Sequence, residues 1–414
     1  MNDESAVKRA TIALMLAQAS ASSGFLAMTT INAIVAVKMS NNNANFAGIP
    51  SALVLAGASA MAYFAGLIAS RYGRRNSLLI GVSLCIVGAL LSGIGININQ
   101  LGLFLPSLFL FGFGRGALDQ SRYAAGDLVP ADRRARAIST VVWGGTFGAI
   151  IGPQLVDPTS AIAGSLGLNP DSGPAFATVL LQIIAGLCIG LLTIGVDWKG
   201  IAQRMGAQDK IKISSSRWPV FAIPRARAAF ITMVCAQSAM SLMMTIISVH
   251  MKAHGMGLNE VGNVITAHVL GMFAFSPLVG RLADRIGRQQ TIYIGVAVLA
   301  AGCIITPILL LTPFIMFGEF LVGLGWSLCF VSSAALLTNS LAPEQRAVSQ
   351  GTTDVFVNAG AAIGAISSGI LLNLLGFYLV CAFGLTVAII PLLAVITWGR
   401  GTPVSTSRMA ATGQ

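Results

Sequence analysis

The side chains best suited to chemistry in this sequence are few and clustered. All three histidines fall between His250 and His268, and seven of the fifteen methionines fall between Met233 and Met272. In the run AMSLMM, Met240 and Met244 stand one helical turn apart; in HVLGM, His268 and Met272 do the same. Thioether sulfur is a soft ligand suited to copper(I), and imidazole also binds copper. Two thioethers on one helix with an imidazole and a thioether on the next would form a neutral copper site. Weak neutral ligands also let an ion leave again. His250, Met251, His254 and Met256 lie just beyond and could hand an ion inward. The competing reading is packing, because methionine is a common apolar filler and adapts to flat aromatic ligands. From residues alone both readings stand.

A second group of reactive side chains sits inside apolar sequence. LFGFGRGALDQSRYAAGDLVP carries Arg115, Asp119 and Arg122 at i, i+4 and i+7, one helix face. A charge facing lipid costs several kcal/mol, so this face should look inward. The two arginines should keep Asp119 ionised, which suits a structural pair, although anion or proton coupling remains open. Glu319 and Asp354 have no opposite charge within four residues along the sequence. A carboxyl in low dielectric can cycle a proton, so both are proton-coupling candidates. Glu319 is preferred, since Asp354 falls near a helix end and could latch to a loop arginine. Asp127 reads as structural.

The elements that position these groups follow from composition. Of 414 residues, 55% are hydrophobic and 9% charged, against roughly 25% charged in a soluble protein. Mean hydropathy is +0.80 and the pI is about 9.9. A chain so poor in charge is solvated mostly by lipid. Twelve apolar spans fit, at roughly 10–37, 48–70, 77–97, 101–124, 135–157, 175–196, 227–250, 260–282, 289–311, 314–338, 347–373 and 376–398. Of 25 Lys+Arg, 21 lie on alternate connections. Positive charge marks the cytoplasmic side, which predicts both termini inside and explains the net +11 without nucleic acid. The six cysteines all lie in apolar runs and read as inert buried thiols. No cleavable leader is expected.

The two halves repeat. Gly66–Arg74 reads GLIASRYGR and Gly280–Arg288 reads GRLADRIGR, an offset of 214. Lys38 and Lys252 share that offset, and LVPADRRA (128–135) matches LAPEQRA (341–347). Two homologous six-helix halves imply a secondary transporter with a midplane site. The expected organisation is an N-terminal bundle (1–196), a cytoplasmic central loop (197–226), a C-terminal bundle (227–398) and a cytoplasmic tail (399–414).

Over its whole length the chain resembles the major facilitator superfamily. The loop signature is complete at Gly280, Asp284, Arg285, Gly287 and Arg288. In that family these residues latch the cytoplasmic ends of neighbouring helices. In the first copy Ser70 replaces the acid, leaving Arg71, Arg74 and Arg75. GGTFGAIIGP in span 5, with Gly148 and Gly152, is similar to a glycine motif of family exporters, and packing explains it as well. Met240, Met244, His268 and Met272 resemble the paired positions of the CcoA-like copper importer subfamily; related carriers move riboflavin or other organic solutes.

The resulting expectation is an all-α, twelve-helix carrier working by alternating access, in the plasma membrane, as a monomer. Spans 1, 4, 7 and 10 should line its cavity, with Arg115 a cargo-binding candidate. Its partners are a small-molecule or metal-ion substrate and the bilayer. No cofactor and no enzymatic activity are expected, since Walker, H-E-x-x-H and G-x-S-x-G patterns are missing. A non-transporting sensor is disfavoured by the short central loop. Cargo and direction stay open.

Overall fold

The computed structural model describes residues 3–129, 134–198, 200–201, 219–341 and 343–399. Most of the central loop and nearly all of the tail lie outside these residues. Among the described residues the secondary structure is helical, without strands. Span 1 is Asp3–Met39, span 2 Ile49–Tyr72 and span 3 Arg74–Asn97. Span 4 is divided into Leu101–Leu118 and Ser121–Asp127, and span 5 into Arg134–Gln154 and Val156–Ser165. Span 6 is Gly173–Leu192 and span 7 Pro224–Ala253. Span 8 is divided into Leu258–Phe273 and Ser276–Ile286; span 9 is Arg288–Ile305 and span 10 Thr312–Ser340. Spans 11 and 12 share one helical stretch, Pro343–Trp398, interrupted only by Gly376 at φ 76° and ψ 171°.

Among the described residues, ten stretches are long and apolar enough to cross a membrane. One of them, Thr352–Trp398, holds both spans 11 and 12. The remaining span, the fifth, falls outside the ten; it is rich in glycine and closes on Pro153 and Gln154. The twelve expected spans are thus all helical. Lipid solvation requires this, since a spanning segment must satisfy its own backbone hydrogen bonds.

By contacts the chain forms two compact units. One comprises Met1–Asp209, Met244–Val269 and Ala362–Phe377; the other comprises Lys210–Met243, Leu270–Ala361 and Tyr378–Gln414. The ends of spans 7, 8 and 11 that lie away from the basic loops therefore group with the first six spans. In the first unit, span 1 packs on spans 5 and 6, and span 4 packs on spans 2 and 3. In the second, span 9 packs along span 10.

Small residues set these approaches, as expected where lipid leaves no hydrophobic drive between helices. In span 4, Gly112, Gly114 and Gly116 alternate with Phe113 and Arg115. A Cβ on Gly112 would strike the Val54 backbone; one on Gly114 would lie 2.6 Å from Cys85 N, and one on Gly116 2.5 Å from Ala58 O. These glycines bring the span 4 backbone against spans 2 and 3. Gly148 and Gly152 do the same for span 5 against span 1, so their spacing has a packing use.

Candidate functional site

The charged face of span 4 is rearranged relative to an unbroken helix. The helix ends at Leu118, and Asp119 and Gln120 form a turn before Ser121–Asp127 begins. Arg115 and Asp119 still pair, with Nε 3.1 Å from Oδ1. Arg122 is exposed after the break, so the three residues do not share one continuous helical face. Arg115 Cζ lies over the Phe25 ring at 4.2 Å, and Phe25 stacks on Phe111 at 6.4 Å with 6° between the planes. The Arg115 side chain is 15% exposed and that of Asp119 is 41% exposed. Arg115 Nη1 is buried and has no hydrogen-bond partner. Beside it, Ser121 Oγ donates to Gln18 Oε1 at 3.1 Å. The result is a cation held over an aromatic face, with Nε committed to Asp119 and Nη1 without a partner. Phe25 and Gln18 were not among the sequence candidates, because nothing in one sequence pairs span 1 with span 4.

The methionine–histidine group is buried rather than open. His268 is fully buried, Met240 and Met272 are also buried, and Met244 is half-buried. Met240 and Met272 belong to one compact unit, Met244 and His268 to the other. Between spans 7 and 8, the His250 ring stacks on Phe377 at 3.7 Å, and His254 Nδ1 lies 2.9 Å from the His250 carbonyl. Met251 is buried. Among the described residues no group of three or more His, Cys, Asp or Glu could hold a metal.

In the second unit, Glu319 is fully buried on span 10, within electrostatic range of the Cys303 and Cys381 thiols. Asp354 is exposed near the start of span 11. On the same span 10, Trp326 donates its indole N–H to Gln237 Oε1 at 2.8 Å. Its ring stacks on Phe330 at 4.8 Å and 21°, and meets Phe273 edge-on at 6.2 Å and 72°. Gln237, Phe273, Trp326 and Phe330 had no signal in the sequence: they come from three spans and none carries charge.

The loop motif is built as its residue types require. Asp284 pairs with Arg288 at 2.8 Å, one turn along an exposed surface. Gly287 has φ 99° and its counterpart Gly73 has φ 83°, a region that disfavours any side chain. Arg285 is exposed, and a Cβ on Gly280 would meet nothing within 4 Å. The side chain of Ser70 lies outside the described residues. In that first copy Arg74 instead reaches Asp127 on span 4 at 2.8 Å. Arg75 donates to Thr193 Oγ1 at 3.1 Å and the Gly190 carbonyl at 2.7 Å. Arg71 lies over Tyr72 at 5.5 Å.

Within the first unit, the ends of the spans opposite the basic loops are shut against each other. Gln154 Nε2 on span 5 donates to Thr266 Oγ1 at 2.8 Å and Asn263 Oδ1 at 3.2 Å on span 8. A Cβ on Gly48, at the start of span 2, would strike the Ala365 carbonyl of span 11. A Cβ on Gly262 would lie 2.7 Å from the Pro153 carbonyl.

Comparison with known proteins agrees with this architecture. The family model described as Major Facilitator Superfamily matches residues 14–195 and 229–412. An uncharacterised MFS-type transporter, YddS of Bacillus subtilis (strain 168), is 33% identical over 393 residues, covering 93% of this chain and 89% of its own. The riboflavin transporter RfnT of Brucella anthropi is 27% identical over 391 residues, covering 91% and 92%. Among solved structures, the nucleoside transporter NupG aligns with a TM-score of 0.71 at 14% identity, covering 97% and 100%. The xylose transporter XylE from E. coli aligns with a TM-score of 0.69 at 14% identity, covering 97% and 99%. These structures share the fold. The copper importer likeness gains no support from these relatives. With a matching family model over both halves and helical spans throughout, the chain is an integral membrane secondary transporter and belongs to the Major Facilitator Superfamily.

Proposed function

We propose that this transporter carries a small organic solute by alternating access, driven by protons, and that Arg115 grips an anionic or acceptor group of the cargo. The observation that carries the reading is Arg115 itself: half-buried, placed over Phe25, and holding a buried Nη1 without a partner. A guanidinium so placed binds carboxylate or carbonyl oxygen strongly because little water competes. With the basic loops cytoplasmic, the shut ends of spans 2, 5, 8 and 11 face outward. The exposed loop motif around Asp284 and Arg288, and the Arg74–Asp127 pair, would act as latches on the cytoplasmic side.

Glu319 is the proton site in this proposal, and Asp354, being exposed, is a loop latch. What supports the proton site is placement: Glu319 is a fully buried carboxyl on span 10, and an ionisable side chain within a membrane span marks a functional position. Riboflavin is the first cargo to test, supported by the 27% identical relative of that name. Copper(I) is the second, because Met240–Met244 and His268–Met272 each lie one turn apart on neighbouring spans.

The deciding experiment uses purified protein in proteoliposomes with an imposed pH gradient. Uptake of riboflavin, small aromatic acids and copper(I) is followed in parallel. Glu319→Gln should lose accumulation driven by the gradient while keeping cargo exchange with no gradient. Gradient-driven accumulation equal to wild type would remove Glu319 from coupling. Copper uptake that vanishes in His268→Ala would move the cargo assignment to the metal.

A further inference from the structure

Trp326 is the middle residue of the 29-residue helix Thr312–Ser340. Gln237 lies at the middle of the 30-residue helix Pro224–Ala253, and Phe273 at the break in span 8. All three therefore lie near mid-bilayer. Trp326, Phe330, Gln237 and Phe273 are each only half-buried. At that depth a half-buried side chain faces either lipid or the interior.

Helix geometry decides which. Phe317 is 53% exposed and lies nine residues before Trp326, so it occupies the opposite side of span 10. Glu319 lies seven residues before Trp326, within about 20° of the same side, and is fully buried. A carboxyl does not face hydrocarbon. Trp326 therefore turns its accessible surface inward, along with Phe330 one turn further on.

The indole is held from three directions. Phe330 covers one face, Phe273 braces an edge, and Gln237 takes the N–H. An indole N–H is donor only, so it fixes the Gln237 amide with oxygen toward the ring. With its oxygen so oriented, Gln237 presents its two amide N–H donors on the other side. The group combines a rigid aromatic face with a hydrogen-bond donor at mid-membrane depth.

We infer that Gln237, Phe273, Trp326 and Phe330 form a recognition site for a planar heteroaromatic cargo, whose ring stacks on Trp326 and whose acceptor atom meets the Gln237 amide. The inference rests on the organic-solute reading above and specifies its chemical class. No step of proton coupling enters it.

The test is binding, separate from transport. Wild-type protein in nanodiscs is titrated with lumichrome, a neutral fluorescent tricyclic heteroaromatic, and quenching of its fluorescence is read. Saturable quenching is expected. Trp326→Leu should weaken it by about tenfold or more, in line with the loss of one ring stack. Gln237→Leu, which preserves side-chain bulk, should weaken lumichrome similarly. It should not weaken naphthalene, which lacks an acceptor. Thermal unfolding profiles matching wild type establish that the variants are folded. Absence of saturable quenching by the wild type, or wild-type affinity in folded Trp326→Leu, overturns the inference. Lumichrome binding without transport of any organic solute would sink the transport reading and leave this site standing. Uptake that needs Arg115 but shows no lumichrome binding would do the reverse.

Discussion

Replacing Arg115 with leucine should cut cargo uptake by about 10- to 100-fold, with normal amounts of protein in the membrane. A hydrogen bond to a charged group contributes about 1.5–3 kcal/mol, and each 1.4 kcal/mol is a factor of about ten. The folded state should tolerate the change. Asp119 would lose its partner but is 41% exposed and can hydrate. Arg115→Lys should fall between the two, since it keeps the charge but loses the forked donors. Initial rates in membrane vesicles, normalised to protein, provide the measurement. A leucine variant that transports at the wild-type rate would show that the pair with Asp119 is structural only.

The second large effect is expected at the shut end of the first unit. Gly48→Leu places a side chain where the Ala365 carbonyl sits. The carbonyl is backbone and cannot turn aside as a flexible side chain would. Overpacking costs about 1–3 kcal/mol, and here separating spans 2 and 11 relieves it. The variant should fold yet stay open at that end, with the Gln154 bonds to Asn263 and Thr266 broken. An Asn263→Cys reporter should react with a membrane-impermeant maleimide at least about fivefold faster in the Gly48→Leu background, and uptake should fall in parallel. Unchanged labelling together with unchanged uptake would mean that this closure is not part of the transport cycle.

Much of the frame was legible in the residues. The offset of 214 between the two loop motifs located matching turns, and Gly73 and Gly287 adopt matching positive φ angles. The apolar runs located every span, because lipid solvation leaves helices as the available solution. Breaks within spans were harder to read. Pro277 and Pro158 mark the interruptions of spans 8 and 5, but nothing at Asp119–Gln120 announces the turn in span 4. Arg115 was found because a charge in hydrocarbon is conspicuous. The Trp326 group was missed because it is uncharged and spread over 93 residues between Gln237 and Phe330. Only packing brings it together. Similarly, Ser70 pointed to a weakened first latch, while the Arg74–Asp127 pair supplies an acid from another span.

The junction of spans 11 and 12 has a practical consequence for anyone who labels this protein. Gly376 turns the chain with a single non-helical residue, at backbone angles that are essentially glycine-only. No slack chain exists there to carry an epitope, a protease site or a fluorescent domain. An insertion would have to unravel the first turns of two helices. The 376 junction therefore offers antibodies and proteases almost no backbone to grasp.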